Sequence, residues 1–224
     1  MKSTRNLLWA LALPMGLWTA SPAYALPRGV ESVNHSAGVA TGVVGARQIN
    51  PTTVEVLLTD STRMTLDFYG ANLVRLFQDN RGGILRNPEA HPEAHILVDT
   101  PRKAVGPISL LENTEELTIA TSRIQVVFCK HSGCFRLVRL SDGAVVAETV
   151  APVELGDKRV TIRLKEQPDE YFYGGGVQNG RFSHKGKVIS IVNSNSWTDG
   201  GVASPTPFYW STAGYGLMWH TFKP

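Results

Sequence analysis

The sequence has no cluster of basic residues, few acids toward its end and no second long apolar run. Its 22 lysines and arginines are scattered among 19 acids, for a formal net charge of +3. Nucleic-acid binding usually needs lysines and arginines gathered on one face, so nucleic acid is excluded as a partner. Beyond residue 25 no apolar run reaches the ~20 residues that cross a bilayer as a helix, so no membrane span is predicted.

The first 25 residues have the three-part pattern of a secretory signal peptide. Lys2 and Arg5 precede an apolar run over residues 7–17, and small residues at Ala23 and Ala25 supply a cleavage site. We expect residues 1–25 to be removed and the rest to be exported, to the periplasm, the cell surface or the medium. The alternative is that this segment anchors the chain in a membrane.

Cysteine is scarce, with Cys129 and Cys134 as the two examples in the chain. They flank four residues of turn character between two strand-like runs, and an oxidising compartment favours pairing. We predict a disulfide across the neck of a hairpin, which over so short a loop contributes roughly 2 kcal/mol. A metal site that adds His131 is the alternative, but a closed site usually needs a fourth ligand. No metal is therefore predicted.

Helical periodicity is absent from the chain, and short runs of strand character end in turns about every ten residues. Among residues 117–128, the positions expected to point inward are Leu117, Ile119, Ile124 and Val126. This pattern predicts an all-β fold, a two-sheet antiparallel β-sandwich. The predicted strands cover residues 54–59, 64–69, 73–77, 117–128, 135–140, 144–148 and 159–164.

The composition changes from residue 171 onward. This stretch holds 11 of the 19 aromatic residues and 9 of the 21 glycines, with Asp199 as its single acid. Aromatic faces stack on sugar rings and amide side chains bind hydroxyls, so a carbohydrate ligand is indicated. Glycines 174–176 lack the Gly-Lys-Ser/Thr of a phosphate-binding loop, and no cofactor is predicted.

Three segments in this stretch resemble the N-terminal domain of glycoside hydrolase family 31, which includes α-glucosidases and α-xylosidases. They are residues 171–180 (YFYGGGVQNG), 199–201 (DGG) and 205–212 (PTPFYWST). The resemblance implies a β-sandwich like that of galactose mutarotase over residues 26–224, preceding a (β/α)8 barrel that is absent from this chain. It also implies that both catalytic aspartates of the retaining reaction lie in that barrel, so no residue here is predicted to be catalytic and the chain alone should be inactive.

The resemblance also implies a sugar-binding loop at residues 193–199, which in the family reaches over the barrel. Many relatives have an aspartate at the position of Asn195, and an amide there keeps hydrogen bonding but loses the charge. Asn195, Trp197 and Asp199 are the predicted contacts for an α-linked oligosaccharide or glycoside. The partner within the full-length enzyme is the barrel, and the alternative is a stand-alone carbohydrate-binding module without catalysis.

Overall fold

Strands are the regular elements of the chain wherever its structure is described. The computed structural model describes residues 41–78, 105–155, 159–180, 182–192 and 195–219, and within these ranges it has no helix. The strands are β1 (Val43–Asn50), β2 (Thr53–Leu58), β3 (Arg63–Gly70), β4 (Leu73–Phe77), β5 (Ser109–Glu112), β6 (Glu116–Ala120), β7 (Ile124–Cys129), β8 (Phe135–Arg139), β9 (Ala144–Glu148), β10 (Glu154–Leu155), β11 (Val160–Thr161), β12 (Phe172–Gln178), β13 (Val202–Ser211) and β14 (Tyr215–Met218).

The first sheet is an antiparallel meander in the order β1-β2-β3-β4. Val54 pairs with Leu66 and Val56 pairs with Met64, so alternate apolar side chains of β2 and β3 share one buried face. Side chains alternate between the two faces of a strand, and the sequence of these strands shows the same alternation. The three strands predicted over residues 54–77 are confirmed.

The opposite face of this sheet is also buried, although its side chains are polar. Thr53 donates a hydrogen bond from Oγ1 to Asp67 Oδ1 at 3.0 Å. The carboxylate of Glu55 is paired with the guanidinium groups of Arg47 at 2.8 Å and Arg63 at 3.5 Å. Buried carboxylates need such partners because the loss of hydration is otherwise uncompensated.

The second sheet has five antiparallel strands in the order β5-β6-β7-β8-β9. The run predicted over residues 117–128 is divided into two strands, because Thr121 organises a turn in its middle. The Thr121 hydroxyl accepts hydrogen bonds from the backbone amides of Arg123 and Ile124, each at 3.1 Å. A threonine turn of this kind carries none of the glycine or proline that marks most turns in a sequence.

These two sheets enclose the main hydrophobic core. The four positions predicted to point inward all belong to it, with relative exposures of 7% or less. The predicted fold, two packed antiparallel sheets, is therefore confirmed. The core is built from residues of both sheets and of the segment before β5: Val43, Val54, Val56, Met64, Leu66, Phe68, Val105, Ile108, Leu117, Ile119, Ile124, Val126 and Phe128.

A third sheet carries the aromatic-rich end of the chain, in the order β12-β13-β14. Between it and the five-stranded sheet the chain forms the short pair β10-β11. The strand predicted over residues 159–164 is thus reduced to β11 and an isolated bridge between Thr149 and Leu164. The long β12–β13 connection and the sheet itself position the candidate site.

Cys129 and Cys134 stand at the two ends of the predicted turn, where the Cys129 amide donates to the Cys134 carbonyl at 2.8 Å. Both are free thiols in this structure, so their disulfide stays a prediction. Hydrogen bonds from the side chain and backbone of Ser132 lower the pKa of the Cys129 thiol below its usual value. The thiolate is the reactive form in thiol oxidation, so this turn favours the chemistry that pairing requires.

The predicted signal peptide at residues 1–25 lies outside the described residues. In the ranges that are described, no helix has the length and apolar character to cross a membrane. Across the same ranges, histidine, cysteine and acidic side chains do not gather in threes or more as ligands for a metal ion.

Candidate functional site

Strand β12 contains three successive glycines whose backbone lies in the left-handed region. The φ angles of Gly174, Gly175 and Gly176 are 112°, 74° and 76°. A Cβ on Gly174 would lie 2.7 Å from the Phe208 carbonyl oxygen, and one on Gly176 would lie 2.1 Å from that of Ser204. Glycine is required here by both the φ angle and the close approach of β13.

The glycines produce an irregular pairing of β12 with β13. Gly174 pairs with Tyr209 and Gly176 pairs with Pro205, so one residue of β12 faces three residues of β13. Extra residues on one strand bend the sheet and redirect its side chains. The irregularity lies next to the loop that the sequence predicts to bind sugar.

Asn179 fastens that loop to the end of β12. Its side-chain Nδ2 donates to the Ser196 carbonyl at 2.8 Å. Its backbone amide donates to the Gly201 carbonyl at 3.0 Å, and its own carbonyl accepts from the Gly200 amide at 2.9 Å. Three hydrogen bonds from one residue therefore hold both ends of the segment 195–201. This role of Asn179 could not be predicted from the sequence, because no local pattern links residue 179 to residues some twenty positions later.

Asn195, Trp197 and Asp199 all lie exposed on the fastened segment. Asn195 has a φ of 49°, and its Oδ1 accepts a hydrogen bond from the Trp197 indole nitrogen at 3.3 Å. The indole ring is 72% exposed. The Asp199 side chain lies beside Gly180, where an added Cβ would be 3.4 Å from Asp199 Cβ. The structure therefore joins Asn195 directly to Trp197 and places Asp199 next to the turn after β12.

One face of the third sheet carries an open cavity of about 560 Å³ that sequence reasoning did not find. Tyr173 and Trp210 are stacked, with ring centroids 4.5 Å apart, and Phe182 meets Tyr173 edge to face at 5.5 Å. His184 forms part of the lining, is 5% exposed and contacts the Gly174 carbonyl oxygen through Nε2 at 2.8 Å. The paired aromatics of β12 and β13 were visible in the sequence, but the contribution of His184 depends on tertiary structure.

The other face of the sheet buries a carboxylate. Glu170 is 3% exposed; it accepts a hydrogen bond from the Ser211 hydroxyl and another from the Gln167 backbone amide at 2.9 Å. Burial, with the nearby Tyr209 and Glu170, raises the pKa of Tyr215, and burial raises the pKa of Tyr209. These groups anchor the segment before β12 to the β13–β14 hairpin, which is a structural role.

The loop site offers stacking and hydrogen bonding, with a single carboxylate. Asp199 is the one acid in the sequence after Glu170. Retaining glycoside hydrolysis needs two carboxylates about 5 Å apart, one as the nucleophile and one as the acid/base. The loop by itself therefore has the chemistry of a binding site and lacks the pair that this reaction uses.

The fold is similar to that of several solved glycoside hydrolases. The GH31 dextranase FjDex31A of Flavobacterium johnsoniae, in complex with isomaltotriose, matches with a TM-score of 0.64 at 15% identity over 82% of this chain and 22% of its own. The GH31 α-xylosidase of Xanthomonas citri matches with a TM-score of 0.57 at 16% identity over 78% and 19% of the two chains. A GH31 α-xylosidase from a soil metagenome, complexed with xylose, has a TM-score of 0.57 at 18% identity over 77% and 27%.

This chain therefore spans about a fifth to a quarter of the length of these structures. No curated protein sequence matches it. The family model of the glycosyl hydrolase 31 N-terminal galactose mutarotase-like domain matches residues 63–224, and this match includes the glycine-rich strand, the fastened loop and the third sheet. The chain belongs to the glycosyl hydrolase 31 family, as its N-terminal galactose mutarotase-like domain.

Proposed function

We propose that this chain is the substrate-positioning domain of an exported α-glycoside hydrolase, and that its segment 195–201 contacts an α-linked oligosaccharide. The observation that carries the proposal is the exposure of Trp197 on a loop that is held in place. Its indole is 72% exposed, while Asn179 fixes the ends of the loop. A rigid aromatic surface binds at a low entropic cost, because little conformational freedom is lost on binding.

The ligands of the similar structures support a choice of substrate classes. One is a dextranase complexed with isomaltotriose and another is an α-xylosidase complexed with xylose. We infer that the parent enzyme of this chain acts on α-glucosides or α-xylosides. The amide of Asn195 and the carboxylate of Asp199 would bind sugar hydroxyls beside the indole of Trp197.

Catalysis would belong to a second part of the parent enzyme. We infer an intramolecular (β/α)8 barrel whose two aspartates cleave the glycosidic bond with retention of configuration. The loop of the N-terminal domain would close one side of the sugar pocket, so that substrate contacts come from both domains. Precise positioning of a substrate supplies a large part of enzymatic rate enhancement without any proton transfer.

Binding and turnover by the full 224-residue chain test this division of labour. Isomaltotriose titrated into the chain should quench or shift tryptophan fluorescence, and W197A should weaken this binding at least about tenfold, a loss of about 1.4 kcal/mol. W219F is the matched control, because it also removes an indole but lies outside the loop. Equal affinity in W197A and the unchanged chain would overturn the role of the loop.

The chain should show no turnover of aryl α-glucosides or aryl α-xylosides. Turnover that disappears when one of its own carboxylates is changed to the amide would contradict the assignment of catalysis to a barrel.

A stand-alone carbohydrate-binding module is the second candidate. The same exposed Trp197 favours it, since a binding module needs an accessible aromatic surface and no catalytic pair. The two candidates differ in the size expected of the native protein, because an α-glycoside hydrolase would also contain a barrel and a binding module would not.

A further inference from the structure

Asn179 and Gly180 form the one Asn-Gly pair in the sequence. The backbone nitrogen that follows an asparagine can attack the carbonyl carbon of the asparagine side chain, and a following glycine leaves this path open because it has no Cβ. The other asparagines among the described residues precede a proline, which lacks the backbone N–H, or a residue with a side chain: Asn50, Asn72, Asn113 and Asn195. Asn179 is therefore the asparagine with the least hindered neighbour.

The backbone at Gly180 is free to take part in this reaction. Gly180 is exposed, and its amide donates to no acceptor among the described residues. The Asn179 carbonyl belongs to the same peptide group and accepts a hydrogen bond from the Gly200 amide at 2.9 Å. When the Gly180 nitrogen loses its proton, part of the negative charge lies on that carbonyl oxygen, so the Gly200 amide stabilises the reacting anion.

The side chain that would react is the one that holds the loop. Asn179 Nδ2 donates to the Ser196 carbonyl at 2.8 Å. A carboxylate has no N–H, so conversion to an acid would place two acceptors opposite each other. The new charge would also lie one residue from the point where a Cβ on Gly180 would be 3.4 Å from Asp199 Oδ1. The lost hydrogen bond and the like charges both weaken the attachment of the segment 195–201.

We propose that Asn179 is a site of spontaneous deamidation, and that this reaction releases the segment 195–201 from the end of β12. The Gly180 nitrogen loses its proton and bonds to Cγ of Asn179, while the bond from Cγ to Nδ2 breaks and the nitrogen leaves with that proton as ammonia. Water then opens the succinimide at either carbonyl, which gives aspartate or isoaspartate at position 179. The reaction needs no sugar, so the proposal does not rest on the function proposed for the loop.

Peptide mapping by mass spectrometry tests the reaction. The full chain is kept folded at about pH 8, and conversion of the amide to the acid is followed at Asn179 and Asn113 in the same sample. Asn113 is the internal control, because its side chain also holds a turn but precedes a threonine. Asn179 should convert at least about tenfold faster, which corresponds to a barrier lower by about 1.4 kcal/mol. Equal rates, or an Asn179 that stays an amide, would overturn the proposal.

Hydrogen–deuterium exchange tests the release of the loop. In the aged chain and in N179D, the amides of residues 195–201 should exchange several-fold faster than in the fresh chain, while the core strands keep their protection. N113D is the matched control, because it adds the same charge to a turn whose hydrogen bonds need only an acceptor; it should leave residues 195–201 unchanged. Unchanged exchange of this segment in both the aged chain and N179D would show that deamidation does not release it.

Discussion

Gly176 combines a left-handed backbone with a lack of space for a side chain. Its φ is 76°, and an added Cβ would lie 2.1 Å from the Ser204 carbonyl oxygen. G176A should therefore separate β12 from β13 and lower the free energy of unfolding by more than about 3 kcal/mol. The measurement is the urea midpoint of the full chain.

Gly143 is the matched control for this substitution. Its φ is 70°, yet nothing lies within 4 Å of its added Cβ. G143A should lower the free energy of unfolding only through its strained backbone conformation, by about 1 kcal/mol. Equal losses in the two variants would mean that contact with β13 plays no part at Gly176.

Tyr215 makes the stability of the chain depend on pH in alkaline solution. Burial raises its pKa above the 10.0 of a solvated tyrosine, so the unfolded chain ionises this phenol before the folded chain does. The stabilising effect is complete below about pH 10 and is lost as the pH rises further. Urea unfolding between pH 8 and 11 should show that Y215F loses less stability than the unchanged chain as the pH rises. The slopes of the free energy of unfolding against pH should differ by the equivalent of up to about one proton. Parallel pH profiles would contradict this account.

The hydrogen bonds of Asn179 hold the connection between β12 and β13 in place. N179A removes the hydrogen bond to the Ser196 carbonyl, so the amides of residues 195–201 should exchange with deuterium several-fold faster while the core strands keep their protection. Affinity for isomaltotriose should fall as the loop loses its fixed shape.

Asn113 offers a control in another turn. Its Oδ1 accepts from the amides of Glu115 and Glu116 at 2.8 and 2.7 Å, between β5 and β6. N113A should speed exchange in that turn alone. Faster exchange of residues 195–201 in N113A would show that the loop responds to general destabilisation rather than to the loss of its own hydrogen bonds to Asn179.

The strands that could be predicted from the sequence are those whose pattern is local. Leu117, Ile119, Ile124 and Val126 lie at alternate positions of two strand-like runs, and all four are buried. The turn at Thr121 was not predictable, because it depends on a hydroxyl that accepts hydrogen bonds from two backbone amides. A strand pattern reports which residues are buried more reliably than it reports where the chain turns.

Long-range pairing accounts for most of what the sequence could not predict. Glu55 and Asp67 carry charges and would be expected at the surface, yet both are buried. His184 reaches the Gly174 carbonyl ten residues earlier across an irregular segment. In the loop, the exposure of Asn195, Trp197 and Asp199 agrees with their predicted position, and their contact with sugar stays a prediction.

The size of the native protein and its first residue test whether this chain is part of a longer, exported enzyme. An antibody against residues 26–224 should detect, in the source organism, a species several-fold heavier than the 24.4 kDa of this chain, since the similar structures are about four times as long as this chain. Its N-terminal sequence should begin at Leu26. A native species at the size of this chain would favour the stand-alone binding module, and an intact Met1 in the mature protein would contradict export through a cleaved signal.

The three glycines of β12 and the neighbouring exposed loop differ in the number of amino acids that each position accepts. Trp197 and Asp199 are exposed, whereas residues 174 and 176 are confined by the backbone of β13. A combinatorial library aimed at new sugar preferences should therefore randomise positions 197 and 199 and leave the glycine codons fixed. Most variants at these two positions would then yield folded protein, while each glycine replaced would remove its clone from the screen before binding is ever assayed.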